Sequence, residues 1–164
     1  MKLGRFPKYL AVALLAAFAG SSCESVDDNR IPPVRVYLNF GNTGLWDVYG
    51  VSGYGDYAIF SRKDRIPGNY SYRENDYTGF GGVLLIYGVG EVLAYDRACP
   101  VEARQDVVVT IDNSNYEAVC RTCGSRFNVC EAYGSPIAGP AIENGYGMRR
   151  VNVIPSGGGY IIQN

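Results

Sequence analysis

Val83-Leu84-Leu85-Ile86-Tyr87-Gly88-Val89-Gly90-Glu91-Val92-Leu93-Ala94-Tyr95-Asp96-Arg97-Ala98-Cys99-Pro100 is the stretch from which the fold is read. Two apolar runs flank the Gly-rich segment Gly88 to Glu91, which is the pattern of a β-hairpin. The second run ends in a Cys-Pro turn and delivers Cys99 to a loop. Downstream, Asp106 to Ile111 and Tyr116 to Val119 form a second apolar pair around the turn Asp112-Asn113-Ser114-Asn115, and this pair delivers Cys120. Two thiol-bearing loops therefore sit at strand ends, one hairpin apart. Upstream, Val34, Val36, Leu38 and Phe40 alternate with Arg35, Tyr37 and Asn39, the period of a half-buried strand. Gly41 to Gly81 reads as loops with short strands, one of them Tyr57-Ala58-Ile59-Phe60. Met148 to Ile154 and Tyr160 to Ile162 form a last hairpin around Pro155-Ser156-Gly157-Gly158-Gly159. No stretch keeps a helical period over three turns, apart from the apolar N-terminal run. The expectation is an all-β chain.

Composition narrows the function classes. The 164 residues are 47% hydrophobic, enough for one domain with a core. The 14 Tyr, 21 Gly and 8 Pro favour short strands joined by tight turns. A net charge of -1 argues against a nucleic-acid partner. With His 0, imidazole general bases, imidazole metal ligands and imidazole pH switches are excluded.

The first residues read as an address. Lys2, Arg5 and Lys8 precede the apolar run Tyr9 to Ala19 and the small residues Gly20-Ser21-Ser22 before Cys23. Residues 1–22 have the parts of a secretory signal, and the apolar run within them is too short to span a bilayer comfortably. Small residues before a cysteine resemble the lipobox of bacterial lipoproteins, in which Cys23 becomes the lipidated N-terminus; cleavage after Ala19 is the other reading. Residues 23–33 are then a tether with acidic Glu24, Asp27 and Asp28 and the pair Pro32-Pro33. Residues 34–164 are the domain. The expected location is the bacterial cell envelope, as an outer-membrane lipoprotein on its periplasmic or surface face, with the membrane as partner through Cys23.

The chemistry lies in Cys120-Arg121-Thr122-Cys123-Gly124-Ser125. Two thiols three residues apart on a tight loop can face one point, as metal or redox chemistry requires, or they can form disulfides. Together with Asp96-Arg97-Ala98-Cys99-Pro100, Phe127-Asn128-Val129 and Gly139-Pro140-Ala141, the segment from Gly82 to Val153 resembles the Rieske iron–sulfur domain, and more closely Rieske-like lipoproteins of the Bacteroidetes type. The resemblance covers about half the chain. It implies a small antiparallel β-sandwich or barrel with long loops. Two of the loops clamp a [2Fe-2S] cluster, and a third, here Gly139-Pro140-Ala141, covers it. Cys99 and Cys120 occupy the cysteine ligand positions.

The departures from that pattern decide what the site can be. Rieske centres use Cys-x-His and Cys-x-x-His, with two imidazoles on one iron. In this chain the histidine positions hold Val101 and Cys123. Three aligned sulfurs remain. Cys130 is the candidate fourth, giving a four-thiolate [2Fe-2S] or zinc site, but seven residues of extended chain reach up to about 23 Å from Cys123. A water, Asp96 or Glu102 are the oxygen candidates. The competing reading is a metal-free, disulfide-stabilised surface lipoprotein with a binding or structural role, in which Cys99 pairs with Cys120 or Cys123. Closing the Cys99–Cys120 loop would contribute roughly 3 kcal/mol in the chain-entropy model. Tyr49, Tyr54, Tyr57, Tyr70, Tyr72 and Tyr77 either line a groove for carbohydrate or peptide or pack on a sheet face. No Ser/His/Asp or Cys/His constellation is present, so an electron-transfer or metal-binding module, or the crosslinked scaffold, is favoured over an enzyme, with a thiol oxidoreductase using Cys120 and Cys123 the one catalytic alternative.

Overall fold

A computed structural model describes residues 25–164, so the signal segment and Cys23 lie outside the described residues. The strands are β1 (Val36–Phe40), β2 (Tyr57–Phe60), β3 (Tyr77–Thr78), β4 (Val83–Tyr87), β5 (Val92–Asp96), β6 (Val109–Asp112), β7 (Glu117–Cys120), β8 (Arg126–Asn128), β9 (Ser135–Ala138), β10 (Arg150–Ser156) and β11 (Gly159–Gln163). Two short helices join them, α1 (Thr43–Tyr49) and α2 (Pro140–Asn144). Seven strands form a barrel-like sheet in the order β2-β4-β5-β10-β11-β1-β3, and four form a small sheet, β6-β7-β8-β9. All ladders are antiparallel, and the chain is all-β as its sequence pattern implies.

The hairpin β4–β5 is the shared wall of the molecule. Its register runs from Val83↔Asp96 to Tyr87↔Val92, closed by the Gly88 N–H on the Glu91 carbonyl. Side chains alternate across a strand, so Leu84, Ile86, Leu93 and Tyr95 enter one core while Val83, Leu85, Val92 and Ala94 enter the other. A continuous apolar run is what a strand buried on both faces requires. The first core also holds Cys99, Cys120, Phe127 and Met148; the second holds Val36, Leu38, Phe40, Phe60 and Ile162.

Several elements differ from the sequence expectation. Asn42 caps a helix inside the segment expected to be loops and short strands, its side-chain oxygen accepting the Leu45 N–H at 3.2 Å. The helix spans two turns, and Leu45, Trp46 and Tyr49 pack against the second core, so tertiary contact holds it where periodicity is too short to register. The final hairpin turns at Gly157-Gly158 alone, both at positive φ, and β10 continues through Pro155. On its other side β10 pairs with β5 only at Arg150 and Val151, so at Pro155 that edge has no ladder bond to lose. The segment before Pro32 is docked rather than free. Asp27 bridges to Tyr146, Ile31 is fully buried, and the Arg149 guanidinium donates to the Ile31 carbonyl at 2.9 Å.

The tyrosines divide among separate places. Tyr70 meets Tyr49 and Tyr72 edge-on, and it also packs on Phe40 and Phe60. Tyr54 instead meets Tyr116 edge-on and donates its hydroxyl to Glu131, while Tyr77 lies under Arg35. Tyr49, Tyr57, Tyr70 and Tyr72 pack against the two cores, whereas Tyr54 and Tyr77 stay exposed. No helix among the described residues is long and apolar enough to cross a membrane.

Candidate metal centre

Two strand ends bring the thiols together. β5 stops at Asp96 and the chain turns into Cys99, held by its N–H on the Val107 carbonyl at 2.9 Å. β7 ends at Cys120, and a tight turn follows in which the Gly124 N–H bonds the Cys120 carbonyl and the Cys120 N–H bonds the Ser125 carbonyl, both at 2.9 Å. Gly124 takes φ 75°, the left-handed conformation that glycine adopts without strain. The two loops face each other. The sulfurs of Cys99, Cys120 and Cys123 all lie within 4.8 Å of one another, and Cys99 Sγ is 3.7 Å from Cys123 Sγ. Thiolates about 2.3 Å from a tetrahedral zinc stand about 3.8 Å apart. Three close cysteines can hold a metal ion, with Cys99 and Cys120 fully buried and Cys123 partly open.

The surroundings treat Cys99 and Cys123 differently. Burial pushes the Cys99 thiol well up, against the backbone N–H groups of Glu102 and Val101, which favour its thiolate. Burial would also raise Cys123, but hydrogen bonds from the Ser125 side chain and backbone, and from Cys120 and Cys99, outweigh it and hold that thiol below its ordinary value. Ser125 is the pivot of this arrangement. Its fully buried hydroxyl lies 3.2 Å from Cys123 Sγ and accepts the Ala141 N–H at 3.0 Å. The amide fixes the oxygen, which leaves the hydroxyl proton free to meet a Cys123 thiolate.

The other sequence candidates fall outside this group. Cys130 is buried with its Sγ 3.7 Å from the Tyr116 carbonyl, and it is not among the sulfurs that converge. Its thiol is pushed up by burial, which suits an inert core residue. Asp96 is no ligand either. Its Oδ2 accepts the Phe80 N–H at 2.7 Å, and its Oδ1 accepts those of Gly81 and Ala98, each at 2.9 Å, so both oxygens brace the loop that carries Cys99. Glu102 contributes its amide toward Cys99. The four cysteines among the described residues are free, and no pair stands at the roughly 2.05 Å of a disulfide.

Gly139-Pro140-Ala141 does adjoin the centre. A Cβ on Gly139 would fall 2.9 Å from Ser125 Cα, and Ala141 is fully buried against the Ser125 hydroxyl. Spacing alone did not reveal the roles of Ser125 and Asp96; a small hydroxyl two residues past a ligand cysteine, and an acid three residues before one, were the available signals. No protein-family model matches the chain, and the curated proteins contain no match to it.

The donor set does not fit a Rieske centre. No imidazole is present, and Val101 stands where one would be needed. A two-iron cluster takes two ligands at each end. Three sulfurs mutually within 4.8 Å surround one point instead.

Proposed function

We propose that this chain is a cell-envelope domain on a Rieske-like scaffold, tethered through Cys23, whose site has been converted from an iron–sulfur clamp to a three-thiolate centre for a single thiophilic metal ion. The observation that carries the reading is the convergence of Cys99, Cys120 and Cys123 to within 4.8 Å. Soft thiolate sets select zinc or monovalent copper over hard cations. Cys99, Cys120 and Cys123 would hold the ion, and a water on the open side by Cys123 would complete four-coordination. A bound ion would supply positive charge that favours the thiolate form of the buried Cys99. This chain's own part is to orient the sulfurs, through the Ser125 hydroxyl and the amides of Val101 and Glu102, and to exclude water from two of the three. The role is metal binding, and electron transfer follows if the bound ion is redox-active.

The test is metal and inorganic sulfide content of the full chain purified without oxygen from cells supplied with iron, zinc and copper. The reading expects about one zinc or copper per chain, no sulfide, and loss of the ion in Cys120→Ser. Two irons with matching sulfide would replace it with a cluster of altered ligation. Metal-free protein would favour the crosslinked surface lipoprotein.

A further inference from the structure

We propose that the centre is also a two-electron redox switch, in which Cys99 and Cys123 join as a disulfide and the metal ion leaves. The inference rests on the three-thiolate reading and adds its regulation. The two sulfurs are in direct contact at 3.7 Å, so reaching the bonded distance of about 2.05 Å requires them to close by roughly 1.7 Å. They come from different loops with different freedom. Cys99 is fully buried and tied into the sheet through Val107, whereas Cys123 is partly exposed on the turn between β7 and β8. Beside Cys123, the position of a Cβ on Gly124 meets no atom within 4 Å, so that side of the turn is open to an incoming reagent and to movement. Cys120 is sealed, and attack from outside reaches Cys123 first.

The chemistry is thiol–disulfide exchange with a small-molecule disulfide as oxidant. The Cys123 thiolate attacks one sulfur of the oxidant, forms a mixed disulfide and expels the first thiolate. Cys99 then attacks Cys123 Sγ, expels the second thiolate and gives up its proton to it. Two protein sulfurs lose two electrons, and the oxidant leaves as two thiols. Only Cys120 remains as a ligand, and one thiolate does not hold an ion that three held.

The full chain, reduced and then freed of reductant and metal, is treated with glutathione disulfide and mapped by non-reducing peptide mass spectrometry. The expected result is loss of two thiols per chain and a Cys99–Cys123 link that dithiothreitol reverses. In Cys99→Ser the reaction stops halfway, with glutathione retained on Cys123. In chain loaded with zinc, about one ion is released for each link formed. A Cys120–Cys123 link instead, or glutathione lodged on Cys123 of the unsubstituted chain, overturns the switch. Thiol mapping is done without metal, so the two readings fail separately. A chain that forms the link but takes up neither zinc nor monovalent copper sinks the metal site, and one that takes up either ion but forms no link sinks the switch.

Discussion

Asp96 closes one strand and opens the loop of Cys99, and its carboxylate is shared among three backbone N–H groups, those of Phe80, Gly81 and Ala98. Burial pushes this carboxyl up while the three amides pull it down, so its energetic value lies in satisfying donors that have no other partner. The packing around it leaves no slack: a Cβ on Gly81 would sit 2.5 Å from the Ala98 nitrogen. Asp96→Asn keeps the shape but replaces one accepting oxygen with a donating NH2, leaving at least one amide facing another donor. Hydrogen bonds to charged groups contribute about 1.5–3 kcal/mol each, and an unsatisfied buried donor costs about 1–3 kcal/mol. We expect Asp96→Asn to lower the unfolding free energy by about 2–4 kcal/mol in urea titration and to weaken metal binding, because Cys99 is carried by the loop it braces. A loss below about 0.5 kcal/mol would show that the three bonds do not hold the loop.

At the scale of elements, the small sheet is laced by one arginine. Arg126 on β8 reaches Asp112 on β6 at 2.8 Å and Glu117 on β7 at 2.5 Å. The Arg126 guanidinium holds the Asp112 carboxyl below its ordinary value. A depressed carboxylate contributes stability above its unfolded pKa, about 3.9 for Asp, and that contribution is lost as pH falls through the lower folded value. Acidification of the native chain should therefore loosen the small sheet only below about pH 4. In Arg126→Gln, stability at neutral pH should fall and the dependence on pH across that acid range should shrink, both read by circular dichroism and thermal melts. An unchanged acid profile in the variant would remove Arg126 as its cause. These strands also show where the sequence could be read and where it could not. β6 and β7 were legible as apolar runs around Asp112-Asn113-Ser114-Asn115; β7 lies one residue later than its run, and β6 begins only at Val109, without Asp106, Val107 and Val108. β9 was not legible, because Ser135-Pro136-Ile137-Ala138 is short and carries a proline. α2 has five residues, and its Pro140 and Gly145 look like ordinary turn residues until the buried Ala141 is seen. The convergence of three sulfurs followed from matching the two loops to a known pattern, whereas the exclusion of Cys130 depends on where the chain goes after β8.

The whole molecule is organised by a wall with two cores, one of which contains the thiols. Because β4 and β5 contribute alternate residues to both cores, neither core can be opened without exposing the other side of the same hairpin. The domain should then unfold as one cooperative unit, and a ligand bound at the thiol loops should stabilise all of it. An ion at 100 times its dissociation constant adds about 2.7 kcal/mol, which for a chain of this size raises Tm by roughly 5–10 °C. Scanning calorimetry of zinc-loaded and chelator-treated chain is expected to give a single transition in each, displaced by that amount. Leu85 faces the core without cysteines, so Leu85→Ala should destabilise both forms by about 2–5 kcal/mol and leave the zinc-induced displacement unchanged. Two resolved transitions, with only one responding to zinc, would mean that the cysteine-bearing core folds apart from the rest. The shared hairpin would then be a boundary between two units and not the wall that couples them.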